Sequence, residues 1–216
     1  MCGRFNFPKE SQDRMLHSVL EDLEQRNIQV KTGDIFPGDV AAVIASNRKL
    51  EPQTFAMEWG YKMPDGKRIF NARSETASHK ATFADGMQQR RCLIPAAHYY
   101  EWQKTPDGKV KYSITPKNNE GFYLAGIYRL ENGVPVFSVL TREPAESIAF
   151  IHNRMPVILP QIVMADWLNP RNRGEDVLSA AVSEMEYVSM KYPPALNGQE
   201  VLILCICVDL VDFRKV

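Results

Sequence analysis

The sequence lacks the long apolar runs, metal-ligand spacings and nucleotide-binding motifs that mark several classes of protein. No apolar run approaches the ~20 residues of a membrane span, and residues 1–10 have no cationic-then-apolar signal pattern. The cysteines include no C-x-x-C pair and the histidines no H-x-x-x-H spacing, so neither a zinc site nor a disulfide framework is expected. G-x-S-x-G, P-loop and G-x-G-x-x-G motifs are also absent. We therefore expect a cytoplasmic protein with no cofactor, no metal and no membrane partner.

The apolar content is sufficient for a folded core. Of 216 residues, 44% are hydrophobic and 24% are charged, which is typical of a globular chain and not of a disordered one. No internal repeat, low-complexity tract or Pro/Gly-rich linker divides the sequence. Residues 1–216 are therefore predicted to form a single domain.

The net charge of zero conceals an uneven distribution of charge. Residues 1–60 carry 7 basic and 9 acidic side chains, residues 61–119 carry 11 and 5, and residues 120–216 carry 8 and 12. A basic excess in the middle of the chain is typical of a localised anion-binding face, but a solvated surface of lysine and arginine gives the same counts.

Hydrophobic periodicity predicts strands in the middle of the chain and helices towards its ends, without regular βαβ alternation. We predict an α+β fold: a single domain with a central antiparallel, barrel-like β-sheet and peripheral helices. One predicted helix begins after Pro8, and three others cover about 144–151, 160–168 and 174–182. The predicted strands cover 4–7, 40–45, 53–58, 92–95, 98–103, 110–115, 122–130, 135–141 and 201–210.

Cys2 is the residue with the most distinctive potential chemistry. Removal of Met1 would leave an N-terminal cysteine whose α-amine and thiol have ordinary pKa values of ~7.7–8.0 and ~8.5. Such an aminothiol traps aldehydes, because the amine forms an imine and the neighbouring thiol then closes a five-membered thiazolidine ring. Taken alone, Cys2 could equally be a small apolar residue at the start of a strand.

Four other polar residues are candidates for the same site. Glu101 lies among aromatic residues, where burial would raise its pKa towards that of a general acid or base, and His152 follows the predicted 144–151 helix. Asn71 and Arg73 would share one side of an extended segment and suit a phosphate or sugar oxygen. The alternatives are an outward-facing strand glutamate, a histidine that caps a helix and a surface pair between Arg73 and Glu75.

Five blocks of sequence together resemble one family. They are Met1-Cys2-Gly3-Arg4-Phe5, Asn71-Ala72-Arg73-Ser74-Glu75-Thr76, Arg91-Cys92-Leu93-Ile94-Pro95 leading to Tyr100-Glu101-Trp102, Leu124-Ala125-Gly126-Ile127, and the eight residues from His152 to Leu159. In this order, over residues 1 to about 198, they resemble the SOS-response-associated peptidase (SRAP) family.

The resemblance implies an activity and a set of site residues. It implies covalent capture of abasic sites in single-stranded DNA by Cys2, as a thiazolidine crosslink, after autoproteolytic removal of Met1, with a lyase-like activity as an extension. It also implies that Asn71 orients the sugar or the N-terminus and that Glu101 and His152 move protons. Arg4, Arg73, Lys80 and Arg154 are the expected DNA-binding residues, and Trp59, Tyr61 or Trp102 could stack at the missing base.

Two other functions are compatible with the same residues. In the first, Cys2 and His152 form a dyad of a cysteine peptidase that acts on other proteins. A nucleophile at a chain terminus that is consumed by covalent binding suits repeated turnover poorly. In the second, Cys2 is structural and the protein is a non-covalent reader of damaged or modified DNA.

Overall fold

The structure, a computed structural model, describes residues 2–117 and 121–190. Within these residues the strands are β1 (Phe5–Phe7), β2 (Gly33–Ile35), β3 (Val40–Ser46), β4 (Pro52–Trp59), β5 (Tyr61–Lys62), β6 (Arg68–Ile69), β7 (Asn71–Arg73), β8 (Arg91–Ala96), β9 (His98–Thr105), β10 (Gly108–Pro116), β11 (Phe122–Glu131), β12 (Val134–Arg142), β13 (Met155–Pro156), β14 (Ile158–Leu159) and β15 (Met185–Met190). The helices are α1 (Arg14–Gln25), α2 (Ser74–Ala77), α3 (Ala84–Gln89), α4 (Met164–Leu168) and α5 (Gly174–Leu178).

Five strands close into a barrel, as the sequence predicts. β3 pairs with β4 and β8, β8 pairs with β11, β11 pairs with β12, and β12 returns to β4. The pairings within this ring are antiparallel except the one between β4 and β12, which is parallel, and β7 also joins β12 in parallel. The α+β, barrel-like fold is therefore confirmed, with a parallel seam along β12 that the strand pattern did not predict.

A second sheet carries the N-terminus. Its order is β15-β10-β9-β1-β2, and its pairings are antiparallel. β1 is only three residues long, but Phe5 is paired with Ile35 on one side and with Tyr99 on the other. The pairing continues one residue towards the N-terminus, where the amide of Tyr100 donates to the carbonyl of Arg4 at 2.9 Å. This hydrogen bond extends the fixed part of the backbone to Arg4, the residue before β1.

Trp59 joins the barrel to the second sheet. Its ring centroid lies 5.1 Å from that of Phe5 in β1 and 6.0 Å from that of Phe137 in β12, and its indole N–H donates to the carbonyl of Phe70. Trp59 and Tyr61 are both at most 1% exposed. Two of the three aromatic residues predicted to stack at a missing base are therefore core residues, which leaves Trp102.

The helix predictions are only partly correct. Segment 144–151 contains a 3-10 turn at Glu146–Ile148 and no α-helix, because Ile148 and Ile151 turn inwards at a spacing of three residues. The predicted 160–168 helix is a 3-10 turn followed by α4, and the predicted 174–182 helix ends at Leu178, because the amide of Val182 donates to the carbonyl of Ile158. The predicted 201–210 strand lies outside the described residues.

The described part of the chain contains no helix that is long and apolar enough to cross a bilayer. Its longest helix, α1, has 12 residues and buries one face, on which Met15, Leu16, Val19 and Leu23 recur at helical spacing. Asp13 caps this helix by accepting from the amide of Leu16 at 2.9 Å.

Arg91 connects the barrel to the α3 and α4 regions through backbone carbonyls. Arg91 is 4% exposed. Its Nε donates to the carbonyl of Trp167 at 2.6 Å, and its Nη1 donates to the carbonyl of Met87 at 2.7 Å. Its Nη2 donates to the carbonyls of Asn169 and Asn172. The planar fork of a guanidinium meets such a spread of acceptors, whereas an ammonium group cannot.

We predict that Arg91→Lys destabilises the fold by about 3 kcal/mol, because several buried carbonyls lose their donors. The measurement is the free energy of unfolding in urea, with exposed Arg90→Lys as the control, which should change by less than about 0.5 kcal/mol. Equal stabilities of the two variants would contradict this assignment.

Candidate functional site

Cys2 lies between the barrel and the second sheet. It lies three residues before Phe5, the first residue of β1, and is fully buried. The side-chain amide of Asn71 donates to its backbone carbonyl at 2.8 Å. Asn71 is the first residue of β7 and is paired with Val139 of the barrel. The predicted pair of Cys2 and Asn71 is therefore in direct contact, and the barrel holds the N-terminal segment through that contact.

Two buried polar atoms near Cys2 have unused hydrogen-bonding capacity. The Asn71 Oδ1 and the Tyr99 hydroxyl make no hydrogen bond with the described residues, although both are inaccessible to solvent. Buried polar groups are normally paired, so such atoms call for a functional explanation. One acceptor and one hydroxyl beside Cys2 suit a ligand or chain terminus that carries both donors and acceptors.

Glu101 contributes a buried carboxyl group beside Cys2. It is 4% exposed and shares a face of β9 with Tyr99, since alternate residues of a strand point the same way. Burial raises the pKa of the Cys2 thiol, and the charge of Glu101 raises it further. Burial also raises the pKa of Tyr99, and the charges of Cys2 and Glu101 add to that effect. Glu101 is therefore buried close enough for its charge to act on Cys2, and the alternative of a glutamate on the outer face of a strand does not hold.

His152 lies on a turn and not at the end of an α-helix. The amide of Arg154 donates to its Nδ1 at 3.0 Å. This bond makes Nδ1 a hydrogen-bond acceptor. Strand β13, which follows, is paired with Thr141 and Arg142 of β12. β12 is also the partner of β7, so the elements that carry Asn71 and His152 are tied to the same strand.

The side chain of Arg154 is engaged within the protein. It is 10% exposed, and its two terminal nitrogens donate to the carboxylate of Glu75 at 2.7 and 2.8 Å. Its Nη2 also donates to the carbonyl of Thr141 at 2.6 Å. The hydrogen bonds from Arg154 hold the pKa of Glu75 below its ordinary value. A phosphate would have to share Arg154 with Glu75 or displace it.

The other predicted DNA-binding side chains differ in accessibility. Arg73 and Lys80 are exposed. Glu75 pairs with Arg154 rather than with Arg73, so the predicted surface pair between Arg73 and Glu75 is wrong. Arg73, at the end of β7, is two residues from Asn71 and is exposed, and its charge contributes to the lowered pKa of Glu75.

Arg4 is surrounded by aromatic rings and one acid, a group that we call the Arg4 cluster: Arg4, Asp34, Phe36, Tyr100 and Trp102. The Arg4 guanidinium carbon lies 4.3 Å from the ring centroid of Phe36, 5.0 Å from that of Trp102 and 5.9 Å from that of Tyr100. Its Nη1 lies 3.8 Å from Asp34 Oδ2. These are cation–π distances, so the rings orient Arg4 while Asp34 offsets part of its charge.

The sequence analysis missed Asp34 and Phe36 as members of this cluster. Asp34 also accepts from Asn6 Nδ2 and from the Tyr100 hydroxyl, each at 3.1 Å. β2, which places Asp34, has only three residues and shows no periodic pattern. A signal was available on β9, where His98, Tyr100 and Trp102 alternate and so share one face.

Among the described residues, no group of three or more histidine, cysteine or carboxylate side chains could hold a metal ion. The two cysteines in this part of the chain, Cys2 and Cys92, are both free thiols. Burial raises the pKa of Cys92 as well, and Cys92 lies in the barrel at β8.

Comparisons with known proteins agree with this architecture. The abasic site processing protein YoqW of Bacillus subtilis is 31% identical, over 88% of this chain and 90% of YoqW. The abasic site processing protein YedK of Escherichia coli is 26% identical, over 85% of this chain and 86% of YedK. A crystal structure of a protein from Bacteroides thetaiotaomicron superimposes with a TM-score of 0.70 at 21% identity, over 88% of this chain and 92% of that one.

A family model covers the five sequence blocks noted above. The model described as SOS response associated peptidase (SRAP) matches residues 1–195. That range contains the barrel, the second sheet and the candidate site residues. The resemblance noted in the sequence is thereby confirmed, and the chain belongs to the SOS response associated peptidase family.

Proposed function

We propose that this protein captures abasic sites in single-stranded DNA covalently on Cys2, after autoproteolytic removal of Met1. The observation that carries the proposal is the fixed position of the chain terminus: Asn71 holds the carbonyl of Cys2 at 2.8 Å, and the charge of Glu101 acts on its thiol. Relatives named as abasic site processing proteins support the substrate. An abasic site is an aldehyde attached to a polyanion, which suits an aminothiol flanked by arginines.

The first step of the proposal prepares the nucleophile. Water adds to the peptide carbonyl of Met1, the bond between Met1 and Cys2 breaks, and methionine leaves while Cys2 gains a free α-amine. Asn71 keeps the Cys2 backbone in place during this step, because its amide donates to the carbonyl on the other side of Cys2. Its unpaired Oδ1 is then available to accept from the new amine.

The second step forms the bond to DNA. The ring-opened sugar presents an aldehyde, the α-amine of Cys2 attacks it, and water leaves as an imine forms. The thiol of Cys2 then adds to the imine carbon, and its proton passes to the imine nitrogen, which gives a thiazolidine. Opening of the sugar and loss of water each need proton transfers, for which Glu101 and the Nε2 of His152 are the proposed groups.

The raised pKa of the Cys2 thiol supports this order of events. Burial and the charge of Glu101 raise that pKa, so the thiol stays protonated at neutral pH and the amine is the first nucleophile. A neutral thiol also brings the proton that the imine nitrogen requires. The same property is unsuited to a peptidase acting on other proteins, which needs a thiolate that is accessible and has a lowered pKa.

The first prediction from the proposed function concerns the intact mass of the protein before and after reaction with an abasic strand. Intact-mass spectrometry of the purified protein should show a chain without Met1, and incubation with an abasic single-stranded oligonucleotide should add the oligonucleotide mass less one water. Cys2→Ser should form no stable adduct, because the ring cannot close through sulfur. A Cys2→Ser variant that crosslinks like the wild type would refute capture on Cys2, and non-covalent binding without any adduct would favour the reader of damaged DNA.

The second prediction concerns Glu101. Glu101→Gln fills the same volume but cannot take up a proton, so it should slow crosslinking at least tenfold while the affinity for single-stranded DNA changes less than about twofold. The matched control is Glu143→Gln, which removes an exposed carboxylate. An equal loss of rate and affinity in Glu101→Gln would assign Glu101 to binding or folding instead.

The third prediction concerns the rate at which the Cys2 thiol is alkylated and how that rate depends on pH. A raised thiol pKa leaves little thiolate at pH 7.5, so iodoacetamide should modify Cys2 of the chain that retains Met1 more than tenfold more slowly than glutathione, with the rate rising as pH increases. Mass spectrometry of the N-terminal peptide separates chains with and without Met1. Protein unfolded in urea should react at an ordinary rate, and fast modification in the folded state would contradict the buried, protonated thiol.

A further inference from the structure

We infer that Phe36 is a stacking platform for the nucleobase next to the captured abasic site. This inference rests on the proposed function and deepens it by naming a specific DNA contact. Phe36 is 36% exposed, which is unusual for a large aromatic residue beside a site. Of the aromatic residues named from the sequence as stacking candidates, two are buried, and Phe36 was not among them.

Two cationic groups lie over the ring of Phe36. The guanidinium carbon of Arg4 lies 4.3 Å from its centroid and the Nζ of Lys31 lies 5.0 Å from it. Surfaces that bind single strands combine cations for the phosphates with aromatic faces for the bases. Here both occur at one ring, and Arg4 also contacts the ring of Trp102 at 5.0 Å.

The backbone holds Phe36 in a preformed turn. The amide of Asp39 donates to the carbonyl of Phe36 at 2.9 Å, and Gly38 has a φ of +99°, so Pro37 and Gly38 occupy the central positions of a type II turn. The carboxylate of Asp39 accepts from the amide of Phe36 at 2.8 Å. The amide of Gly38 donates to the carbonyl of Trp59 at 2.8 Å. A ring on such a turn loses little conformational entropy when a base stacks on it.

Phe36 also lies beside the N-terminal segment that carries Cys2, since its ring contacts Arg4. It directly follows Ile35, which is paired with Phe5 of β1. Cys2 is three residues before Phe5, and adjacent strands lie about 4.8 Å apart. A base next to an abasic site has lost its stacking neighbour, and on this inference the exposed ring of Phe36 replaces that neighbour. Arg4 lies 3.8 Å from Asp34 and Lys31 lies 2.7 Å from Asp39, so the flanking phosphates share these cations with the two carboxylates.

The test uses an oligonucleotide that contains tetrahydrofuran in place of the abasic sugar. This analogue has no aldehyde, so binding is measured without crosslinking. A 2-aminopurine is placed on the 5′ side of the tetrahydrofuran in one strand and on the 3′ side in another, because stacking quenches its fluorescence. The proteins are the wild type, Phe36→Ala, Phe36→Leu and the control Phe150→Ala. Phe150 is an exposed phenylalanine that packs against Tyr187 of β15, the edge strand opposite β2.

We expect quenching on one side of the lesion by the wild type and by Phe150→Ala, and its loss in both Phe36 variants. Their dissociation constants should rise roughly five- to tenfold, since one stacked base is removed. The slope of log Kd against log salt should stay unchanged, because no phosphate contact is lost. Arg4→Gln provides the comparison, with a slope smaller by about 0.7.

Three results would overturn the inference. Wild-type affinity and quenching in both Phe36 variants would show that the ring contacts no base. Wild-type behaviour of Phe36→Leu alone would show that apolar bulk and not the aromatic face matters. A salt slope in Phe36→Ala that falls like that of Arg4→Gln would make Phe36 a support for Arg4 only. If the wild type forms no adduct with a genuine abasic strand, covalent capture fails, and the tetrahydrofuran measurement still decides the role of Phe36.

Discussion

The anchoring of the first few residues is the constraint on which the candidate site depends. A chain terminus ordinarily frays, because nothing pairs with it on one side. Here β1 is paired with both β2 and β9, and Asn71 reaches from the barrel to the carbonyl of Cys2. Trp59 packs on Phe5 and so fixes the distance between the two sheets. Two of the proposed site residues gain their positions from that arrangement, since Glu101 is on β9 and Asn71 on β7.

The two faces of β9 carry side chains with different proposed roles, proton transfer on one face and contact with Arg4 on the other. Tyr99 and Glu101 are buried on the side that acts on Cys2. Tyr100 and Trp102 lie on the other side, where their rings contact Arg4. Proton transfer benefits from exclusion of water, whereas recognition of a polyanion requires access to it. One strand can meet both needs because its successive side chains point in opposite directions.

The sequence allowed prediction of the elements with a clear period and of the chemistry of single residues. The hairpin of β11 and β12 and the helix α1 follow from their apolar spacing. The parallel pairing between β4 and β12 does not, since the apolar residues of a strand look alike whichever neighbouring strand they meet. The contact between Cys2 and Asn71 spans 69 positions in the chain, and only the resemblance to a family joined them beforehand. Phe36 and Asp34 were missed because turns and three-residue strands carry no periodic signal.

The arginines near the site are paired with acids, which has a consequence for binding on the proposed function. Arg154 donates to Glu75 at 2.7 and 2.8 Å, and Arg4 lies 3.8 Å from Asp34. A phosphate that approaches either arginine must compete with a carboxylate already in place, so part of each attraction is cancelled. On the proposed function, we therefore expect modest non-covalent affinity for an undamaged strand in a chain of zero net charge. Retention on DNA would then depend on the covalent bond, which only an aldehyde can form, and selectivity for the lesion would follow from the proposed chemistry of Cys2 more than from the strength of phosphate contacts.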